Sequence, residues 1–198
     1  MAYSPTHLGG PCTLPRVLSG ADAERLARAS LTAPAHLRAT HELLLWTGLR
    51  ASEAVALLWA DVDQAACTVR VQCGKGHKTR VVPVPRSLLP RIRNDADRRS
   101  PWVLPNARDP TRPITRRALH RRVAALADAA GIYCHPHTLR HCYACNCLRA
   151  GLTIAEVSAL LGHASIATTA IYLHVQPDAL AARVQALLEP SMAPRLAL

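Results

Sequence analysis

His137 and Arg140 stand three residues apart, a Leu-Gly-His unit ends at His163, and a single tyrosine, Tyr172, follows nine residues later. Two histidines, an arginine and a tyrosine make a poor set of metal ligands. They make a good set for holding a phosphate and attacking it. Breaking a phosphodiester without metal requires positive donors on the non-bridging oxygens, a nucleophile in line, and an acid for the leaving 5′ oxygen. The planar fork of arginine meets phosphate oxygens two at a time. A tyrosine nucleophile leaves a phosphotyrosine ester that keeps the bond energy for rejoining, and histidine moves protons near neutral pH. Taken singly, each histidine reads as a satisfied core residue and the tyrosine as half-buried packing at a helix end. Only their joint occurrence points to chemistry.

The composition suits a polyanionic partner. The chain has 198 residues, 49% of them apolar, and a formal net charge of +11. That length fits one domain with a proper core. A membrane-surface protein would want a basic amphipathic helix bearing large aromatics. This chain has no Phe and spreads its basic residues over several segments. Nucleic acid is therefore the expected partner, and a membrane is not. No run of about 18 uncharged apolar residues is present and the N-terminus does not read as a signal peptide, so a cytoplasmic location is expected.

Of the 24 basic residues two are lysine, which leaves 22 arginines; both lysines, Lys75 and Lys78, fall in the segment KGHKT. Arginine drift could leave two lysines by chance. The sharper reading is that a proton must be given up there, which arginine does not do. Seven cysteines, an odd number without a secretion signal, are expected as reduced thiols.

These residues need elements to carry them. Ser19 with Asp22 reads as a cap for a helix over 21–30. A second helix runs from Pro34 to about Thr47 and ends at Gly48. Ser52 is read as the cap of a short helix through Leu58, with Glu53 in its first turn. From Ala66 the period becomes two, and GKGHKTR separates two alternating runs, a hairpin with Lys75 at its tip. The stretch from Pro85 to Thr115 is irregular, with one helical turn near 87–92 and Trp102, Val103 and Leu104 as a core anchor. Thr115 caps a helix to Ala130 with an apolar stripe at Leu119, Val123 and Leu126. Arg116, Arg117, Arg121 and Arg122 crowd its first half. A solvated face is one reading; the self-repulsion favours contact with an anion such as DNA. Helices over 137–149, 153–161 (Thr153 and Glu156 as a capping box) and 167–172 follow, then an amphipathic one from Pro177 to about Leu188. The fold class is mainly α with a small antiparallel β-sheet (α+β).

The segments TGLRASE (47–53), GKGHKTRVVPV (74–84), HTLRH (137–141) and LLGHASIATTAIY (160–172), in that order, resemble the tyrosine recombinase, or phage integrase, family. The resemblance implies that Arg50 and Arg140 bind the scissile phosphate and that Lys75 protonates the 5′ oxygen. It also implies that His137 assists proton transfer, His163 hydrogen-bonds the phosphate, and Tyr172 attacks to form a 3′-phosphotyrosine. Glu53 matches an acidic position supporting Arg50, and Lys78 a basic position that touches the DNA backbone. The implied activity is site-specific recombination without metal, nucleotide or other cofactor. The implied assembly is a tetramer on synapsed double-stranded DNA, from protomers that are monomeric or dimeric alone.

The resemblance spans the catalytic domain, taken as residues 14–189 between an arm (1–13) and a tail (190–198). Most members carry a further N-terminal helical domain, whereas 49 residues precede Arg50. That size resembles the short, Fim-type invertases, and a truncated integrase would look the same. A catalytically silent DNA-binding descendant and a DNA-relaxing enzyme of the type IB topoisomerase kind are the competing readings. Cys142 and Cys145, with Cys134 and His135 nearby, could be read as zinc ligands, although core packing is the commoner role for such cysteines.

Overall fold

The computed structural model describes residues 17–72, 79–95, 100–163, 165 and 167–171. The hairpin tip with Lys75 and Lys78, the tyrosine Tyr172 and the expected helix from Pro177 lie outside the described residues.

Helix α1 (Gly20–Thr32) starts where the Ser19 hydroxyl accepts the Asp22 N–H at 3.1 Å. Helix α2 (Ala35–Thr47) is the centre of the fold and packs against α1, α4 (Leu88–Asp95), α5 (Arg116–Ala129) and α6 (Pro136–Arg149). Leu43, Leu44, Leu88, Ile92, Leu119, Leu126 and Leu139 are all essentially water-free in this core. Each such side chain contributes about 1.5–3 kcal/mol by burial. Because α2 is surrounded, its polar residues are buried too. His41 meets Ser30 Oγ at 3.1 Å, and Glu42 pairs with Arg91 at 3.3 Å. The leucine pattern of α2 alone does not disclose this, since buried polar groups are admitted by partners from other elements.

Three strands form one antiparallel sheet in the order β1 (Val62–Asp63), β2 (Thr68–Val71), β3 (Arg80–Pro83). The alternation correctly foretells β2 and β3; the two-residue β1 is too short to carry a period. Register pairs Val69 with Val82 and Val71 with Arg80. Val69, Val71 and Val82 are buried, so the inward face of the sheet also carries Arg80.

Several boundaries differ from expectation. Helix α3 (Ala51–Val55) is shorter than expected, and its cap is Arg50, not Ser52: Glu53 reaches back to accept the Arg50 backbone N–H at 2.8 Å. Helix α4 extends past a single turn to Asp95. Val103 and Leu104 are buried, while Trp102 is half-exposed and donates to the Thr111 carbonyl at 3.0 Å. Helix α7 (Ile154–Leu161) carries the expected Thr153–Glu156 capping box, and α8 (Ala167–Ala170) follows. No helix among the described residues is long and apolar enough to cross a membrane.

Gly48 closes α2 in the left-handed region, at φ 59°. A Cβ there would also drive into the ring of Tyr143 on α6. Gly48→Ala is therefore expected to lower the unfolding free energy by about 2–4 kcal/mol, combining left-handed strain with overpacking. Urea unfolding checks it, and adding Tyr143→Leu should recover the packing part only.

Candidate active site

Each side chain of the site is held where a helix starts or stops. Arg50 is the last residue before α3, His137 and Arg140 lie in the first turns of α6, and His163 follows Gly162, the left-handed residue that ends α7. The last carbonyls of α7 point at three guanidinium groups. Leu161 O accepts from Arg140 Nη2 at 2.8 Å, Gly162 O from Arg50 Nη2 at 3.2 Å, and Leu160 O from Arg80 Nε at 2.8 Å. The end of α2 adds a fourth bond, Arg140 Nη1 to Gly48 O at 2.6 Å. Unpaired terminal carbonyls and the negative end of the helix dipole are what a cation is drawn to.

Glu53 ties the same three arginines together. It accepts two bonds from Arg80, at 2.9 and 2.7 Å, and one from Arg50 Nη1 at 3.0 Å; Arg140 Nη1 lies 3.9 Å away. Burial alone would push the Glu53 carboxyl up. The bonds from Arg80 and Arg50 outweigh it and hold the group down to about 2. The side chains of Arg140 and Arg80 are almost fully buried, whereas that of Arg50 is 38% exposed. Arg80 is the functional residue that sequence reasoning passed over. Its only signal was its place at the start of β3, directly after the lysine-bearing segment. Gly162 is bound to it sterically, since a Cβ there would stand 2.9 Å from Arg80 Nη1.

Three arginines against one carboxylate leave the site cationic, and the histidines around it respond. Burial first, then Arg140, Arg50 and Arg80, hold His163 down to about 4. Its Nδ1 lies 2.9 Å from Thr169 Oγ1. His137 is lowered by burial and by Arg140, and its ring stacks 5.7 Å from His141, itself held at about 4 by burial and then by His137. The His163 and His141 rings are thus neutral at neutral pH. Each can donate a hydrogen bond or take up a proton without adding a positive charge beforehand.

Arg50 and His137 open on a groove of about 780 Å³ lined also by Arg116, Arg117, His120, Tyr133 and His135. Arg140 and His163 do not line this groove, but the charges of Arg50 and Arg140 act on both His137 and His163. Arg116 and Arg117 thus join the site. Arg121 is exposed on α5 but does not line this groove. Arg122 is turned inward, donating to Thr40 Oγ1 at 3.4 Å and Pro105 O at 3.3 Å, so it braces α5 instead of presenting a charge. Cys142 and Cys145 sit in the core, where burial raises both thiols, Cys145 to about 11. Buried thiols of this kind pack as small apolar side chains, and among the described residues no group of three or more His, Cys, Asp or Glu is placed to hold a metal ion. His135 Nδ1 is engaged as the cap of α6, accepting the Thr138 N–H at 3.2 Å.

The family model described as the phage integrase family matches residues 16–178. The chain belongs to this family. It is 38% identical over 173 residues to the tyrosine recombinase XerC of Xanthomonas campestris pv. campestris, a match covering 83% of this chain and 53% of the relative. The chain spans about half the length of the curated relatives it matches. Among solved structures, the XerA recombinase superposes with a TM-score of 0.74 at 29% identity, covering 93% of this chain and 68% of that one. XerH bound to its difH substrate, in a pre-cleavage complex, gives 0.67 at 25% identity, over 81% of this chain and 50% of that one. The mainly helical fold with its three-stranded sheet is the catalytic-domain fold of tyrosine recombinases.

Acid should unfold this integrase-family domain in two windows. His41, His141 and His163, held near 4 against 6.5 when unfolded, make the unfolded chain the better proton acceptor, so stability falls as pH drops from 6.5 toward 4. Glu53, held near 2 against 4.5, supplies stability that is complete above 4.5 and lost as pH falls toward 2, worth about 3 kcal/mol. Urea midpoints across pH should show both limbs. Glu53→Gln should abolish the lower limb and cost about 3–5 kcal/mol near neutrality, because it strands buried arginines.

Proposed function

We propose that this domain is the catalytic part of a site-specific DNA recombinase that cleaves and rejoins strands through a covalent 3′-phosphotyrosine. The observation that carries this is the convergence of Arg50, Arg140, His137 and His163 on one cationic site that opens on a groove lined by Arg116 and Arg117. Family membership supports it, as does XerH, a relative caught on its DNA substrate.

In this reading Arg50 and Arg140 bind the non-bridging oxygens of the scissile phosphate, and His163 donates to the same oxygens. The Tyr172 oxygen attacks phosphorus, the bond to the 5′ oxygen breaks, and Lys75 gives that oxygen its proton. His137 assists the proton transfer at the tyrosine. Rejoining reverses the step: a 5′ hydroxyl attacks the phosphotyrosine and the phenol leaves. The bond energy is conserved, so neither nucleotide nor metal is required. Lys78, Arg116, Arg117 and Arg121 contact backbone phosphates. Four protomers assemble on two synapsed sites.

A nicked suicide duplex tests the chemistry, carrying a site recovered from a randomised DNA pool by binding. Wild type should form a covalent protein–DNA band and Tyr172→Phe none; a wild-type chain that binds the duplex and never forms the adduct sinks the proposal. Arg140→Lys should slow adduct formation on the order of 100-fold, since the fork that meets a phosphate is lost. Binding should also take up protons. A phosphate beside His163 raises its affinity for a proton above that in the free site, so DNA affinity should rise as pH is lowered toward the free-site value of about 4. His163→Gln should flatten that slope in a titration of affinity against pH.

A further inference from the structure

One wall of the groove is not cationic. Tyr133, in the turn between α5 and α6, is 62% exposed and lines the groove with Arg50, His137, Arg116 and Arg117. Its ring meets that of His135 edge to face, with centroids 5.8 Å apart and planes at 84°. His135 is fixed in turn as the cap of α6. The aromatic ring therefore rests on the first turn of the helix that carries His137 and Arg140.

A single exposed aromatic on a protein surface is ordinary. This one stands on a braced support inside the groove that the cationic site opens on. A guanidinium bound to a phosphate holds it whatever the sequence, so that contact positions the duplex and does not identify it. A phenol ring has no charge to offer a phosphate. Its hydroxyl can donate one bond to a phosphate oxygen, but its ring is complementary to a base edge or a thymine methyl.

We propose that Tyr133 packs its ring against a base edge beside the phosphate held by Arg50, and so discriminates sequence next to the cleavage point, while Arg116 and Arg117 supply affinity alone. The inference rests on the DNA-cleaving reading above and assigns the source of its site choice. It predicts a separation of two measurable quantities. Arginine contacts set the salt dependence of binding; an aromatic base contact sets the ratio of specific to non-specific affinity.

Two probes suffice: a duplex selected from a randomised pool with the wild-type chain, and a scrambled duplex of the same composition. Affinity for both is measured against salt. Tyr133→Ala should lower the selected-to-scrambled ratio about tenfold with the salt slope unchanged, and Tyr133→Phe should keep the ratio. Arg116→Gln should reduce the slope by about one and leave the ratio alone. Unfolding midpoints should match wild type for the Tyr133 variants, whose side chain is exposed. An unchanged ratio in Tyr133→Ala overturns the inference, as does equal loss in the Phe variant, which would move the contact to the hydroxyl. A wild-type chain that binds duplexes without preference also overturns it. If wild type binds and discriminates but never forms the adduct, the cleavage reading fails and the base contact stands.

Discussion

The site depends on keeping three guanidinium groups within a few ångströms of one another. Left alone they would repel, and a loose arrangement would present phosphate with a different geometry each time. Two devices prevent this. Glu53 receives bonds from Arg80 and Arg50 and lies 3.9 Å from Arg140, while the last carbonyls of α7 accept one bond from each of the three. A carboxylate and a helix C-terminus are different kinds of negative charge. The first can be removed by protonation, the second cannot.

That pairing explains why the residues proposed to bind phosphate sit where helices begin and end. Arg50 is outside α3 and Arg140 inside α6, far apart in sequence, yet helix-end carbonyls hold both: Gly162 O takes Arg50, Leu161 O and Gly48 O take Arg140, and Glu53 adds a side-chain bond to Arg50. Displacing either would require moving helices that pack through Leu43, Leu44, Leu139 and Leu161, all buried. The geometry of the charge cluster is thus inherited from the apolar core. Preorganisation of this kind lowers the reorganisation needed when charge develops on a phosphate.

Much of this was legible in the sequence and some was not. Helix ends marked by Gly48, Gly162, Thr115 and Thr153 are local chemistry, and they fall where expected. The hairpin strands announce themselves by alternation. What failed to show depends on distant partners. Arg80 looked like one more residue after a lysine-bearing segment, because its role needs Glu53 and Leu160, 27 and 80 positions away. Arg122 looked like its neighbours on α5, and only the third dimension turns it toward Thr40 and Pro105. Arg50 could not be read as a cap, since that role is played by its backbone N–H and the Glu53 side chain.

The three arginines are not equivalent, and exposure separates their tasks. Arg140 and Arg80 have almost no contact with water, and the bonds described for them run to backbone carbonyls and Glu53. Arg50, with 38% of its side chain exposed, faces the groove while one edge of its fork stays bonded to Glu53 and Gly162. A lysine at any of the three would keep the charge but satisfy one direction at a time, whereas each of these positions uses a planar fork in at least two. Arg80 shows the point most sharply. Its Nη1 and Nη2 take both oxygens of Glu53 while its Nε takes the end of α7, so one side chain joins the sheet to two helices. The charge is common to all three residues; the fork is what lets each hold its place.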